Sequence, residues 1–247
     1  MPDQIYGIHA VKQRLTVGAG IVRLIIRPGK LSNRHEELMQ LAESIQCPVE
    51  RHEIELSDGR LAHQGVALVV DAQRMLGDGD LADILAQARN DWLFLVLDGV
   101  TDARNFGACI RSAAGMGVTA IIVPKDRSAS LNEAAIKVAS GGASLVPVIA
   151  VVNLARALDK MKAQNVWIVG TVLDEERSIS DIELTGNIAI ILGAEDTGIR
   201  LKTRERCDFL AMIPMSYPDL SLNVSVATGI CLYEAQKQRL SAKLPDL

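Results

Sequence analysis

Short apolar runs recur along the last two thirds of the chain, and helical stretches lie between most of them. The runs are rich in Val, Ile and Leu without polar alternation, a pattern typical of strands buried on both faces of a parallel sheet. They cover Trp92–Leu97, Val118–Val123, Leu145–Ile149, Val166–Gly170, Ile188–Leu192 and Phe209–Ile213. The intervening helices are predicted at Phe106–Met116, Asn132–Ser140 and Leu154–Ala163. We therefore expect an α/β domain whose ligand site lies beyond the carboxyl ends of its strands.

A smaller α/β module precedes this domain. Strands are predicted at Val22–Ile26 and Gly65–Val70, a helix at Asn33–Ile45, and helical spacing of apolar residues over Ile5–Leu15. A turn-forming Gly77-Asp78-Gly79-Asp80 and a short polar helix then separate the two parts. The predicted organisation is a first domain at 1–71, a linker at 72–91 and a second domain at 92–247.

Composition excludes several classes of protein. Hydrophobic residues make up 49% of the 247, which supports a filled core, yet no apolar run approaches the ~20 residues of a membrane span. The polar start MPDQ has no signal-peptide character, and the four cysteines form no CxxC pair, so we expect a cytoplasmic protein without disulfides or zinc. The net charge of −4 gives no global attraction to nucleic acid, and 3% aromatic residues disfavour a base-stacking platform. All four histidines lie before residue 64, so chemistry in the second domain has no local histidine base or metal ligand.

Three loops after predicted strands carry polar residues suited to chemistry. The first, after Leu97, offers Asn105 as a helix N-cap and Arg111 nearly two turns later, although this segment taken alone favours a capped helix with a solvated arginine. The second is Gly193-Ala-Glu195-Asp196-Thr-Gly198, whose glycines suit close approach of a ligand to the backbone. The third runs into a helix opened by Ser221, Leu222 and Asn223, where Ser221 as a simple N-cap is the alternative. No strand is followed by GxGxxG, which disfavours a Rossmann dinucleotide or methyltransferase site.

Together these loops resemble the three signature motifs of the SpoU family of RNA ribose 2′-O-methyltransferases, in the SPOUT superfamily. The matching stretches are Asn105–Arg111, Ile190–Arg200, and Ile213-Pro214 with Ser221–Gly229. The stretches Ile5–Val11 and His63–Gly65 resemble the small RNA-binding domain that many members carry. The resemblance implies an L30e-like first domain, a catalytic domain with a C-terminal trefoil knot, a homodimer, and S-adenosylmethionine as methyl donor with no metal. It also implies catalytic roles for Asn105, Arg111, Glu195, Ser221 and Asn223, and donor binding by the backbone of Gly193, Ile213 and Leu222.

Within that family, the chain is most similar to members that methylate a guanosine of 23S rRNA in the peptidyl-transferase region, on the rRNA or a ribosomal precursor. The alternatives are a tRNA ribose methyltransferase of the same family and a non-catalytic RNA-binding assembly factor. A guanidinium stays protonated at neutral pH, so two roles for Arg111 remain open: a base enabled by its site, or a cation that holds phosphate and stabilises the developing alkoxide. About half of a set of nearby cations are expected to contact phosphate, namely Arg104, Arg111, Lys125, Arg127, Lys137 and Arg200.

Overall fold

The computed structural model describes residues 3–18, 21–54, 63–70, 75–217 and 221–243. The chain divides into two compact units, Met1–Gln73 and Arg74–Leu247. The predicted domain boundary at residue 71, the first three linker residues and Pro218–Leu220 of the third loop lie outside the described residues.

The first unit is a four-stranded sheet with two helices. In chain order its elements are β1 (Asp3–Tyr6), α1 (Ile8–Val17), β2 (Ile21–Ile26), α2 (Asn33–Ser44), β3 (Val49–Arg51) and β4 (Val66–Val70). The strand order is β1-β4-β2-β3, with β2 and β3 parallel and the other pairs antiparallel. The helix predicted over Ile5–Leu15 is wrong at its start: Ile5 pairs within β1, and Gly7, with φ of 90°, separates strand from helix. The sequence pattern missed β3 because it is three residues long and wholly exposed.

The second unit is a six-stranded, entirely parallel sheet covered by helices, which confirms the predicted fold class. Its elements are α3 (Asp78–Leu85), β5 (Leu93–Asp98), α4 (Ala103–Gly115), β6 (Ala120–Pro124), α5 (Glu133–Ala139), β7 (Val148–Val151), α6 (Leu154–Lys162), β8 (Trp167–Thr171), β9 (Ile188–Gly193), α7 (Leu201–Arg204), β10 (Phe209–Ala211) and α8 (Val224–Lys243). The predicted strand at Leu145–Ile149 begins too early, because Leu145 is half exposed and follows a short 3₁₀ turn.

Alternate side chains of the central strand β5 enter two separate cores. Leu93, Leu95 and Leu97 pack with α4, α5 and α8 on one face of the sheet. Phe94 and Val96 pack with α3 and α6 on the other face. Burial on both faces explains why these strands are continuous apolar runs.

The strand order β10-β8-β9-β5-β6-β7 determines which loops become neighbours. Because all six strands run parallel, the segments that follow β5, β8, β9 and β10 leave the same edge of the sheet, where the loops with polar motifs were predicted to meet. The trefoil knot stays a prediction. None of the helices in the described ranges has the length and apolar character that crossing a membrane requires.

Candidate active site

Three side chains from the three polar loops meet in one hydrogen-bonded cluster. Glu195 Oε1 accepts from Asn223 Nδ2 at 2.7 Å, from Asn105 Nδ2 at 3.2 Å and from the Val224 backbone N–H at 3.2 Å. Asn223 Nδ2 also donates to Asn105 Oδ1 at 3.0 Å. We call Asn105, Glu195 and Asn223 the polar cluster. It joins residues up to 118 positions apart in sequence, at the carboxyl edge of the sheet.

The start of α4 places Asn105 in this cluster. The predicted role of Asn105 as the N-cap is wrong, because Asp102 is the cap and its carboxylate accepts from the Asn105 backbone N–H at 2.7 Å. Asn105 is therefore the third helical residue, and its amide is free to bond to Glu195. Both Asp102 and Asn105 are good capping residues, so composition alone did not separate them.

The start of α8 places Asn223 in the same way. Its side-chain oxygen accepts from the Ser225 backbone N–H at 3.0 Å and from Ser225 Oγ at 2.6 Å, and its carbonyl accepts from Ala227 N–H. Asn223 thus caps the helix, and the alternative in which Ser221 is the cap is wrong. Glu195 also lies at this N-terminus, where the helix dipole and the Val224 N–H, which has no partner within the helix, favour a carboxylate.

A cavity of about 330 Å³ opens beside the polar cluster, under the loops that follow β8, β9 and β10. Its walls include the three predicted donor-binding positions, Gly193, Ile213 and Leu222, together with Ser221 and Glu195. A Cβ at Gly193 would overlap the backbone of Gly198 and Ile199, so the tight turn over this cavity requires glycine there. Ser221 makes no hydrogen bond with the described part of the chain, so it belongs to the cavity wall and not to the polar cluster.

A second cavity of about 230 Å³ lies on the other side of Glu195. It is lined by the loop Gly99–Asp102, Asn105, Ala194–Asp196 and Val224. Both cavities share Glu195 and Val224, so the polar cluster stands at the boundary between them. We call them the large cavity and the small cavity.

Arg111 joins neither the polar cluster nor the lining of the two cavities. It is exposed on α4, six residues after Asn105, and makes no hydrogen bond or ion pair with the residues described. Its guanidinium is therefore free to meet a ligand.

Two ion pairs at the site were not predicted. Buried Asp98, at the end of β5, accepts from the Arg200 backbone N–H at 3.0 Å and lies 3.4 Å from Arg200 Nε, which ties the second loop to the sheet. Arg204 pairs with Asp174 at 3.0 Å on the wall of the large cavity, and this hydrogen bond lowers the pKa of Asp174. No sequence pattern joins residues so far apart. The Arg200 side chain is still 43% exposed, and its contact with phosphate stays a prediction.

The cysteines near the site belong to the core. Cys109 on α4 lies 3.3 Å from the Thr228 hydroxyl on α8, in a buried contact that joins the two helices behind the polar cluster. Burial raises the pKa of Cys109 to about 11 and that of Cys231 to about 12, so both thiols stay protonated at neutral pH. They are unsuited to nucleophilic chemistry.

The large cavity fits a donor held mainly by backbone groups. Its volume is in the range of small-molecule sites, and apolar side chains such as Leu192, Ile199 and Ile213 form much of its wall. Within the described ranges, no group of three or more histidine, cysteine, aspartate or glutamate residues is arranged to hold a metal ion.

Comparison with known proteins assigns the chain to a family. Residues 92–233 match the model of the SpoU rRNA Methylase family, and residues 4–76 match that of the RNA 2′-O ribose methyltransferase substrate binding domain. The chain is 46% identical over 244 residues to the 23S rRNA (guanosine-2′-O-)-methyltransferase RlmB of Escherichia coli K12, covering 97% of this chain and 100% of that protein. It is 44% identical to RlmB of Pseudomonas putida, covering 96% of this chain and 97% of that protein.

Solved structures of SpoU enzymes share the fold of this chain. The SpoU methyltransferase AviRb from Streptomyces viridochromogenes, in complex with the cofactor AdoMet, superposes with a TM-score of 0.73 at 25% identity over 97% of this chain and 91% of that one. A TrmH/SpoU tRNA modifying enzyme of A. aeolicus is 31% identical with a TM-score of 0.57, but covers only 67% of this chain and 83% of that one. On the family match, the identity to curated relatives and the shared fold, this chain belongs to the SpoU rRNA methylase family.

Proposed function

We propose that this protein transfers a methyl group from S-adenosylmethionine to the ribose 2′-hydroxyl of a guanosine in 23S rRNA. Two adjoining cavities with the polar cluster at their junction are the observation that carries the proposal, because in-line methyl transfer needs a donor site and an acceptor site that meet directly, with polar groups beside the reacting atoms to hold the ribose. Near full-length similarity to RlmB enzymes supports the choice of 23S rRNA. The tRNA alternative has less support, since the tRNA-modifying relative matches only 67% of the chain. Because 23S rRNA is the assigned substrate, we assign the protein to the cytoplasm.

The large cavity is assigned to the donor and the small cavity to the target ribose. Backbone groups of Gly193, Ile213 and Leu222 would hold the donor, with Ser221 on the same wall. The donor supplies a methyl group already activated on a sulfonium, so no metal is required. The negative charge of Glu195 at the boundary favours a cationic donor over its neutral product.

The polar cluster positions the acceptor. Asn105 lines the small cavity and its amide is held by Glu195 and Asn223, so it presents an oriented group to a ribose without reorganising during the reaction. Asn223 uses its amide within the cluster and at the start of α8, so it positions Glu195 and Asn105. Arg111, free and always protonated, is assigned to the adjacent phosphate and to the alkoxide that develops on the 2′-oxygen. The proton then leaves to water.

We also propose a homodimer built on α8. Large apolar side chains are exposed along one side of this helix at helical spacing: Val226 (51%), Ile230 (38%), Tyr233 (59%) and Leu240 (52%). The opposite side, including Thr228, Cys231 and Leu232, is buried in the sheet core. A second copy of the same helix is the partner that such an apolar stripe fits.

The first unit is assigned to RNA recognition, in line with its match to a substrate binding domain. Its strand register brings the segments that follow β1, β2 and β3 and the one that precedes β4 to one end of the sheet. Among the described residues, four exposed cations lie in these segments or at the start of α2: Arg27, Lys30, Arg34 and Arg51. His9 and Glu53 are exposed beside them. Beneath them, buried His35 bonds through Nε2 to the Gln64 carbonyl, and the Gln64 side chain accepts from the Ile8 N–H. We assign this end to phosphate contacts.

A charge-removal pair tests this assignment in the full chain. Arg27→Ala with Lys30→Ala is expected to raise KM for rRNA and to lower the salt dependence of binding, leaving donor affinity unchanged. The control removes Lys12 and Arg23, whose charges are already paired with glutamates. Equal effects of both pairs would contradict the assignment. Truncation at residue 91 is a poorer test, because it deletes α3 and its buried Leu81 and Leu85.

The proposed function itself is tested by transfer of labelled methyl from S-adenosylmethionine to 23S rRNA and to tRNA. We expect label in 23S rRNA, little in tRNA, and loss of transfer on Asn223→Ala. Uptake of S-adenosylhomocysteine by calorimetry tests catalysis against the alternative of a binding factor, which would show none. Preferential labelling of tRNA would support the other enzyme.

A further inference from the structure

A third cavity lies farther along the same edge of the second unit's sheet, at the carboxyl ends of β6 and β7. Its volume is about 470 Å³, and none of the signature motifs contributes to it. The residues that line it come from the segment before α3, from the ends of both strands and from the loop after β6, namely Met75–Asp78, Pro124, Lys125, Ser128–Ser130, Ala150 and Val152. We call it the side cavity.

One wall of the side cavity is fixed to the sheet. The Leu76 N–H donates to the Val148 carbonyl at 2.8 Å, and the Ala150 N–H donates to Leu76 at 2.9 Å, so this segment adds a short parallel bridge at the edge of β7. Asp78 accepts from the Val152 N–H at 3.1 Å. These hydrogen bonds hold Leu76 and Asp78 in place, so one wall of the side cavity is preformed.

The chemistry of the side cavity suits a nucleotide. Met75, Leu76, Pro124 and Ala150 give an apolar surface for a planar base. Lys125 is exposed and makes no side-chain hydrogen bond or ion pair within the described ranges, so its charge is available to a phosphate. The hydroxyls at positions 128 and 130 add polar groups at the rim.

The three cavities follow one another along the carboxyl edge of the sheet. The large cavity adjoins β8 and β9, the small cavity adjoins β9 and β5, and the side cavity adjoins β6 and β7. The loops of the last two are joined directly, because the Ala129 N–H donates to the Val100 carbonyl at 2.7 Å. The small cavity and the side cavity lie two strand spacings apart, and at ~4.8 Å for each spacing the distance between them is about 10 Å. A single RNA strand covers that distance in one or two nucleotides.

We propose that the side cavity binds a nucleotide one or two positions from the methylated guanosine, with its base on the apolar wall and its phosphate at Lys125. The inference rests on the proposed function, because it assumes that the target ribose occupies the small cavity. It adds a second contact with the RNA inside the catalytic domain, built partly from the residues before α3 at the start of the second unit. Such a contact would fix the register of the strand.

The test combines two variants with a series of RNA fragments of the 23S target region, each lacking one base near the target. Ala150→Leu fills the cavity, and Lys125→Ala removes the charge. The matched controls are Lys160→Ala on α6 and Ala163→Leu just after its last residue, and these positions line none of the three cavities. Melting temperature and S-adenosylhomocysteine affinity are measured for every variant.

For the wild type, removal of the base at one position is expected to raise KM roughly tenfold, the scale of burying one face of a base on an apolar wall. Ala150→Leu should raise KM similarly on intact RNA and have no further effect on the fragment that lacks this base. Lys125→Ala should weaken binding to all fragments and reduce the salt slope by about 0.7, the value for one phosphate of a single strand.

The inference is overturned if no base removed within two positions changes the wild-type KM, or if Ala150→Leu acts equally on intact and base-deleted RNA. If Ala150→Leu melts early, the decision rests on Lys125→Ala, and an unchanged salt slope with that variant overturns the inference. Absence of any methyl transfer by the wild type would instead overturn the proposed function.

Discussion

Gly193→Ala tests whether the turn over the large cavity is the donor-binding element. The new Cβ would overlap the backbone of Gly198 and Ile199, which belongs to a turn closed by the Gly198 N–H to Ala194 carbonyl bond at 2.8 Å. Backbone cannot rotate away as a flexible side chain can, so the turn must open. Overpacking of this kind costs 1–3 kcal/mol, and we expect about 3 kcal/mol here. In a domain of this size that lowers Tm by roughly 6–12 °C.

The assay is a thermal melt together with calorimetric titration of S-adenosylhomocysteine. We expect at least about tenfold weaker binding, a loss of about 1.4 kcal/mol, because the wall of the cavity moves. Gly186→Ala is the matched control, since an added Cβ there meets nothing within 4 Å. If Gly193→Ala melts within about 2 °C of the wild type and binds the ligand equally well, the assignment of this turn is refuted.

Four further predictions follow from single side chains. Arg111→Ala should abolish methyl transfer while Tm and donor affinity stay near wild type, because its side chain makes no contact that folding needs; substantial turnover would refute this. Tyr233→Asp should convert a dimer into a monomer in analytical ultracentrifugation, and a monomeric wild type at micromolar concentration would contradict the proposed interface. Arg204 is the one cation among the described residues that line the large cavity, so it is the group that would hold the carboxylate of the donor. Arg204→Ala should therefore weaken binding of S-adenosylhomocysteine but not of methylthioadenosine, which lacks that carboxylate. The control is Arg206→Ala, because Arg206 pairs with Asp159 outside the cavity. Burial raises the pKa of Cys231 from 9.0 to about 12, so the stability that the protonated thiol contributes is complete below pH 9.0 and is lost as the pH rises towards 12. The free energy of unfolding, measured against pH, should therefore fall more steeply above pH 9.0 for the wild type than for Cys231→Ala.

The sheet of the second unit could be predicted because its physical signal is local. Strands buried on both faces must be apolar throughout, as in Phe94 to Leu97, and the alternation with helices then implies parallel pairing. The short edge strand β3 carries no such signal. Helix starts were less certain, since Asp102 and Asn105 cap equally well and the tertiary bond from Asn105 to Glu195 decided between their roles.

The candidate site could be predicted only as a set of loops. Motif resemblance named Asn105, Glu195 and Asn223, and the structure adds that one carboxylate oxygen holds both amides. The Asp98–Arg200 contact spans 102 residues and depends on how strands β5 and β9 lie side by side, which residue types alone do not encode. The side cavity was likewise invisible, because its wall forms when Leu76 pairs with the edge of β7.

The central claim is the chemical identity of the product. Purified protein is incubated with S-adenosylmethionine and unmodified 23S rRNA, and the RNA is digested to nucleosides for mass spectrometry. The account predicts 2′-O-methylguanosine at a single position, absent when Arg111 or Asn223 is replaced by alanine. A base-methylated nucleoside, or no new modification with a folded, donor-binding protein, would contradict it.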